Sequence, residues 1–118
     1  MEEVVYDTNL LISLLKSGKR TAKGFTTIFN IIEFPKALDL EELGVIYPTL
    51  DDYDESLKIS ASLLRKGEPL PTIDVLIASI CIRRGLKLQT RGKHFTRIEL
   101  LRQEFKLELI KQGMTDRT

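Results

Sequence analysis

The chain has 118 residues, a formal net charge of +1, 42% hydrophobic residues and 30% charged residues. This balance is typical of one globular domain, here over residues 1–118, and no apolar stretch approaches the roughly 20 residues that cross a membrane. The acidic N-terminus does not resemble a signal peptide, so we expect a cytoplasmic protein. The single cysteine, Cys81, excludes an intrachain disulfide and is expected to be a buried thiol.

The chain begins with a predicted strand that leads directly into a predicted helix. Residues 2–6 are rich in residues that favour strands, and residues 8–16 carry leucines at helical spacing. Thr8 is the predicted N-cap of this helix. Asp7 lies between the two elements, in the run VVYDTNLLISLL. Because burying an unpaired charge is costly, packing alone does not account for this acid.

The next segment predicts a loop and two strands. Residues 19–24, KRTAKG, are predicted to form a basic loop or short turn. Residues 25–32 are β-branched and aromatic, which predicts a second strand that runs into a helix near Glu33. Pro35 fits the first turn of that helix or shortens it. Residues 44–48, GVIYP, predict a short third strand.

The middle of the chain contains the clearest helical patterns. Residues 51–66 form a predicted amphipathic helix with acids in its first turn and basic residues in its last. Its predicted apolar face consists of Tyr53, Leu57, Ala61 and Leu64. Residues 71–85 are apolar nearly all round, which predicts a buried helix. Thr72 is its predicted N-cap, and Gly85 is predicted to end it.

Shorter elements complete the predicted α/β pattern. They are strand 87–90, helix 96–104 and strand 106–110, and the tail after Lys111 is expected to fray. Strands that alternate with helices indicate a parallel sheet covered on both faces. We therefore expect a three-layer α/β/α sandwich with about five parallel strands. In such sheets, ligands bind outside the carboxyl ends of the strands, which is where Asp7 is placed.

Three acids occupy places of the same kind in this pattern. Asp7 follows the first strand, Glu33 follows the second, and Asp74 lies in the first turn of the buried helix. Carboxylates that converge repel one another, and a divalent cation relieves the repulsion. Oxygen ligands favour Mg²⁺ or Mn²⁺ over zinc, and such an ion can activate water against a bound phosphate. Spacing alone leaves an alternative open, in which Glu33 and Asp74 are ordinary acids of helix starts.

Basic residues follow the predicted fourth strand, at the same edge as the acids. Arg91 and Lys93 are the predicted contacts to the phosphates of a nucleic-acid substrate, since lysine and arginine neutralise phosphate charge. An ordinary solvated surface is an equally good interpretation of these residues. The near-neutral net charge gives no global attraction to nucleic acid, so binding requires a local patch of this kind.

Three segments resemble the PIN-domain family, most closely the small VapC-type toxins of prokaryotic toxin–antitoxin pairs. The segments are VVYDTNLLI, FTTIFNIIEF and TIDVLIASICIRRGLKLQTRGKHFTRI, and they lie within residues 2–98. The resemblance implies a PIN-like fold and a Mg²⁺- or Mn²⁺-dependent endoribonuclease, the toxin of a type II pair. Its implied partners are RNA, a cognate antitoxin protein and a second copy of the chain in a homodimer. No membrane partner is expected.

The resemblance also implies roles for individual residues. The family's first three acids, which are its catalytic residues and metal ligands, correspond to Asp7, Glu33 and Asp74. Thr8 and Asn9 match the polar residues after the first acid, and Asn9 is implied to orient that acid or to reach the metal's water. Thr90 matches a hydroxyl residue near the site.

One stretch departs from the family pattern. The family places an acid or Asn after the matched threonine and another acid just before a Phe, whereas this chain has Gly92 and His94 at those positions. Three interpretations remain open: three carboxylates suffice for one metal, His94 contributes to the site, or a second metal site is lost. A solvated loop histidine is the plain alternative for His94.

The sequence therefore leaves two main functional hypotheses. The first is the metal-dependent endoribonuclease, and the second is a degenerate PIN domain that binds RNA or protein without cutting. A phospho-accepting receiver domain ranks low, because the first strand is followed by only one acid and then Thr-Asn. A nucleotide-binding fold is also disfavoured, since no glycine-rich phosphate loop follows any predicted strand.

Overall fold

A five-stranded, fully parallel sheet forms the centre of the protein. The computed structural model describes residues 3–111. The strands are β1 Val4–Tyr6, β2 Thr21–Thr27, β3 Glu41–Ile46, β4 Lys87–Thr90 and β5 Lys106–Leu109. Their order across the sheet is β3-β2-β1-β4-β5, and all four pairings are parallel. The prediction of about five parallel strands is confirmed.

Helices cover both faces of this sheet. They are α1 Thr8–Lys16, α2 Ile28–Glu33, α3 Leu50–Arg65, α4 Thr72–Arg84 and α5 Thr96–Leu101, with short 3₁₀ helices at Pro35–Asp39 and Lys93–Phe95. One apolar cluster includes buried residues of α1, β2 and α2, and a second includes buried residues of α3, α4 and α5. The result is the predicted three-layer sandwich. No helix within residues 3–111 is long and apolar enough to cross a membrane.

The middle strand β1 positions the carboxyl edge of the sheet. Its central residue, Val5, is fully buried and pairs with Phe25 of β2 on one side and Leu88 of β4 on the other. Because the strands are parallel, the residues that follow β1, β2 and β4 meet at the same edge of the sheet.

The predicted basic loop at residues 19–24 is wrong over most of its length. Thr21 to Gly24 belong to β2, where Ala22 is buried and Lys23 is exposed. Gly24 has φ +143°, and a Cβ atom there would lie 2.8 Å from the carbonyl oxygen of Val4. The strand is thus stabilised by pairing with both neighbouring strands. This pairing cannot be predicted from a local composition of Lys, Arg and Gly.

The boundary between the second strand and its helix lies earlier than predicted. Thr27 ends β2 and caps α2, since its hydroxyl accepts a hydrogen bond from the backbone N–H of Asn30. Glu33 therefore ends helix α2 rather than starting it, and Pro35 opens a 3₁₀ helix instead of an α-helix. This placement excludes the alternative in which Glu33 is an acid of a helix start.

The apolar face predicted for helix α3 is the wrong face. Tyr53, Leu57 and Leu64 are 47%, 71% and 68% exposed. The buried face consists of Asp52, Ser56, Ile59 and Leu63. This face is more polar, but its polar groups have partners on α4; for example, the Ser56 hydroxyl donates to the Ser79 hydroxyl at 2.9 Å. The identity of the neighbouring helix, and not the apolar periodicity, selects the inner face.

Smaller differences concern the ends of elements. Pro71 occupies the N-cap position of α4 and Thr72 is its first residue, without a side-chain cap. β3 spans Glu41–Ile46 rather than residues 44–48, and α5 ends at Leu101. The predicted burial of α4 is observed, and burial raises the pKa of the Cys81 thiol. The tail predicted to fray, beyond Lys111, lies outside the described residues.

Candidate active site

Asp7 joins the first strand to the first helix as the N-cap of α1. Its Oδ1 accepts hydrogen bonds from the Thr8 backbone N–H at 2.9 Å and from the Asn30 side-chain amide at 3.0 Å. Its Oδ2 accepts from the Thr90 hydroxyl at 2.6 Å. The predicted N-cap, Thr8, is wrong by one residue. Three uncharged donors from three segments therefore fix the carboxylate that interrupts the first apolar run.

Asn30 is a site residue that the sequence interpretation missed. It is 1% exposed, and its amide also donates to the Thr8 hydroxyl at 2.9 Å. Its Oδ1 accepts from the Thr27 hydroxyl at 2.6 Å, which sets the direction of the amide. The pattern that drew attention to Asp7 was present here too, since Asn30 is a polar residue inside the apolar run FTTIFNII. Asn9, by contrast, is exposed, and the amide that reaches Asp7 belongs to Asn30.

Glu33 is tied to the same network through Thr8. The Thr8 hydroxyl donates a hydrogen bond to Glu33 Oε1. Thr8 thus accepts from Asn30 and donates to Glu33, so that a single buried hydroxyl connects β1–α1 to the end of α2. Among the described residues, neither Asp7 nor Glu33 forms an ion pair.

Asp74 approaches from the first turn of α4 and contacts His94. The His94 Nε2 atom lies 2.8 Å from Asp74 Oδ2, and the imidazole stacks on Phe95 with 4.9 Å between ring centroids. A Cβ atom on Gly92 would lie 3.2 Å from both the His94 and the Phe95 rings. The His94 ring thus lies directly against the space that a side chain at position 92 would use.

The three acids line two adjoining depressions at the carboxyl edge of the sheet. Asp7, Glu33 and Asp74 belong to the lining of both, and the depressions measure about 530 and 330 Å³. Burial raises the pKa of Asp74, and the negative charges of Asp7 and Glu33 act in the same direction, while the contact with His94 opposes them. The structure thus brings the three predicted acids into one electrostatic neighbourhood.

The acids do not form a closed set of metal ligands in this arrangement. Within residues 3–111, no group of three or more His, Cys, Asp or Glu side chains is placed so that it can hold a metal ion. Glu33 Oε1 and Asp74 Oδ2 are engaged by Thr8 and His94. The donor chemistry still fits a hard cation, because carboxylates from three segments face the same depressions.

The two predicted phosphate contacts lie beside this site rather than within it. Arg91 and Lys93 line a separate depression next to the acids, whereas Gly92 and His94 line the acidic one. Thr90, predicted as a supporting hydroxyl, is fully buried, accepts the Gly92 N–H at 3.0 Å and contacts Asp7 as described above.

Known structures resemble this chain in fold. A complex of VapBC2 from Rickettsia felis bound to a promoter DNA fragment matches with a TM-score of 0.73 and 18% identity, over 90% of this chain and 97% of the other. DNA-bound VapBC from Salmonella typhimurium matches with a TM-score of 0.73 and 22% identity, over 92% and 98%. VapBC-5 from Mycobacterium tuberculosis matches with a TM-score of 0.69 and 17% identity, over 94% and 99%.

Sequence comparison adds nothing to this structural likeness. No protein-family model matches the chain, and no curated protein is significantly similar to it in sequence. The structural matches cover nearly the whole of both chains. The chain therefore has the fold of the VapC-type PIN domain.

Proposed function

We propose that this chain is the toxin of a type II toxin–antitoxin pair and a metal-dependent endoribonuclease. One observation carries the proposal: acids from three separate segments line the same depressions at the carboxyl edge of a PIN-like sheet. In this reaction, a water oxygen bonds to the phosphorus of an RNA phosphodiester, the bond to the leaving sugar oxygen breaks, and that oxygen takes up a proton.

The proposed metal ligands are Asp7, Glu33 and Asp74, with Mg²⁺ or Mn²⁺ as the ion. A bound ion of this kind would stabilise charge on the phosphate and make water a better nucleophile. The chain's own contribution is to hold the carboxylates ready. Thr90 and Asn30 orient Asp7, and Thr8 orients Glu33. His94 holds Asp74, so ligation by Asp74 Oδ2 requires that contact to open.

The proposed partners follow from the matched complexes and from the site. The matched structures are toxin–antitoxin complexes, and we propose a cognate antitoxin for this chain as well. Arg91 and Lys93 are the proposed phosphate contacts for RNA. A second copy of the chain remains a prediction, which sedimentation of the purified protein tests directly.

The test of this function is cleavage of single-stranded RNA with Mg²⁺ or Mn²⁺ and with chelator. We expect cleavage only with metal, and Asp7→Asn should lower the rate about 100-fold or more, the scale on which a positioned charged or polar group acts. Asn keeps the N-cap of α1, so folding should survive. Asp51→Asn is the matched control, since this acid is exposed on α3 and should leave the rate unchanged. Cleavage that Asp7→Asn leaves intact would refute the proposed active site.

A second candidate function is supported by the region around His94. Gly92 and His94 depart from the family pattern, and no preformed group of metal ligands exists in residues 3–111. Both observations favour a PIN domain that binds RNA or protein without cutting RNA. Calorimetric titration with Mn²⁺ separates the two candidates. Binding that is lost in Glu33→Gln supports the nuclease, and no binding at millimolar Mn²⁺ supports the non-cutting domain.

A further inference from the structure

A basic groove lies next to the acidic depressions, at the carboxyl ends of β4 and β5. Its volume is about 680 Å³, and the residues that line it are Arg91, Lys93, Thr96, Leu109, Ile110 and Lys111. This volume falls in the range of about 300–1,000 Å³ that is usual for ligand sites. Half of the lining residues are cationic, and none of the described residues that line it is acidic.

The groove combines charge with an apolar wall. Leu109 is 39% exposed and Ile110 is half-buried, so both present apolar surface at the end of β5. Lys93 and Lys111 are exposed at its rim. A ligand that uses both features carries negative charge on one part and a flat apolar group on another. A nucleotide has this chemistry, because its phosphate is anionic and its base has apolar faces.

The groove and the acidic depressions share one short segment of chain. Arg91 and Lys93 line the groove, while the intervening Gly92 and the following His94 line the acidic depression. Successive residues thus face two adjoining sites. A polynucleotide strand that crosses this segment would present neighbouring nucleotides to the carboxylates and to the cations.

We infer that the basic groove binds one nucleotide of single-stranded RNA. This nucleotide is the neighbour of the one whose phosphate lies at the carboxylates. The inference rests on the proposed nuclease function in one respect: that function identifies the strand as RNA. The lysines contact the phosphate, and the base lies against Leu109 and Ile110. The RNA is single-stranded, because the bases of a duplex are stacked inside and only an unstacked base reaches such a wall.

The test measures binding of a fluorescent single-stranded oligoribonucleotide by anisotropy, in chelator so that no metal-dependent cleavage occurs. Lys93→Ala with Lys111→Ala should raise Kd about tenfold or more at low salt, and lower the slope of log K against log salt by about 1.4, at roughly 0.7 per phosphate contact. The matched control is Lys36→Ala with Lys58→Ala, which removes two exposed lysines elsewhere and should change Kd less than twofold.

Two further probes address the apolar wall and the strand. An abasic oligomer should bind wild type more weakly than the intact oligomer, and Leu109→Thr should narrow that difference. A duplex of the same sequence should bind at least tenfold more weakly than the single strand.

Three outcomes overturn the inference. The first is an equal loss of RNA affinity in both double variants, and the second is equal affinity for duplex and single strand. The third is that poly-glutamate competes for the groove as effectively as unlabelled RNA. The last result would assign the groove to an acidic peptide. Because the assay needs no cleavage, lysine-dependent RNA binding in a chain that never cuts RNA would refute the proposed nuclease while leaving the groove as an RNA site.

Discussion

Two carboxylate sites at helix N-termini differ completely in how their charge is balanced. Asp52 lies in the first turn of α3, is 0% exposed and forms a capping box with Thr49. It receives hydrogen bonds at 2.9 Å from both Arg83 and Arg84 at the end of α4. Asp7 is the N-cap of α1, and its partners are an amide, a hydroxyl and a backbone N–H.

The difference separates a structural acid from the candidate catalytic ones. Burial alone would raise the pKa of Asp52, but hydrogen bonds from Arg84, the Thr49 backbone and Arg83 outweigh it and hold that pKa well below its usual value. At the candidate site burial raises the pKa of Asp74 instead; the contact with His94 opposes this rise, and the charges of Asp7 and Glu33 add to it. A charge that neutral groups orient but do not neutralise is available to a cation, whereas Asp52 already has its cations.

The largest expected effect comes from removing the structural acid. Asp52→Ala should lower the free energy of unfolding by about 2–4 kcal/mol, because it removes the capping box of α3 and the hydrogen bonds to two guanidinium groups, which are themselves about a third exposed. Denaturant unfolding followed by circular dichroism measures this change. The control, Asp51→Ala, removes a carboxylate that is 74% exposed and 3.4 Å from Arg83, and should cost less than about 0.5 kcal/mol. Similar losses in both variants would mean that Asp52 stabilises the fold no more than an exposed carboxylate does.

A smaller effect is expected at the buried amide of the candidate site. Asn30→Leu should cost about 1–3 kcal/mol, since Asp7, Thr8 and Thr27 each lose a hydrogen-bond partner in a buried setting. Asn30→Asp is the sharper variant, because it keeps the shape and replaces the donor to Asp7 by a repelling oxygen. If chemical denaturation shows Asn30→Asp to be as stable as wild type at neutral pH, the amide does not orient Asp7.

The pH dependence of stability gives the smallest and most selective effect. The folded-state pKa of Asp52 is lowered, so its ionisation stabilises the fold above the ordinary value of 3.8, and this contribution is lost as pH falls toward the folded pKa. The stability difference between wild type and Asp52→Asn should therefore be constant above about pH 5 and shrink below pH 4, by at most about 1.4 kcal/mol per pH unit. A difference that grows on acidification would reverse the sign assigned to this group.

The sequence predicted the fold well where a pattern of apolar residues lies within one element or where elements alternate along the chain. The apolar run of α4, the leucine spacing of α1 and the alternation of strands with helices were sufficient for the three-layer sandwich. The same alternation placed Asp7 after a strand at the carboxyl edge of the sheet, but it left open whether Glu33 and Asp74 join it there, which the structure shows. The wrong face of α3 and the misplaced start of β2 share a cause, since both elements are stabilised by neighbours distant in sequence.

The candidate site was predicted only in part, for a related reason. Thr90 was assigned to the site from motif resemblance and a role for His94 was one of several open interpretations, because their contacts with Asp7 and Asp74 span 83 and 20 residues of chain. Asn30 was overlooked because its role depends on Thr27, which caps α2 and points the amide toward Asp7. Hydrogen-bond partners of this kind are properties of the folded arrangement, not of any one segment.

By itself, the sequence determined the layers, the parallel sheet and the edge at which Asp7 lies, because periodicity and the direction of parallel strands require no knowledge of distant contacts. Only the tertiary structure decided which carboxylate is neutralised and which is left with uncharged partners. Asp52 and Asp7 both occur at helix starts, but their partners differ. Two arginines from another helix donate hydrogen bonds to Asp52, whereas an amide and a hydroxyl donate to Asp7. Electrostatic compensation acts through space, so the chain's order along the backbone does not reveal it.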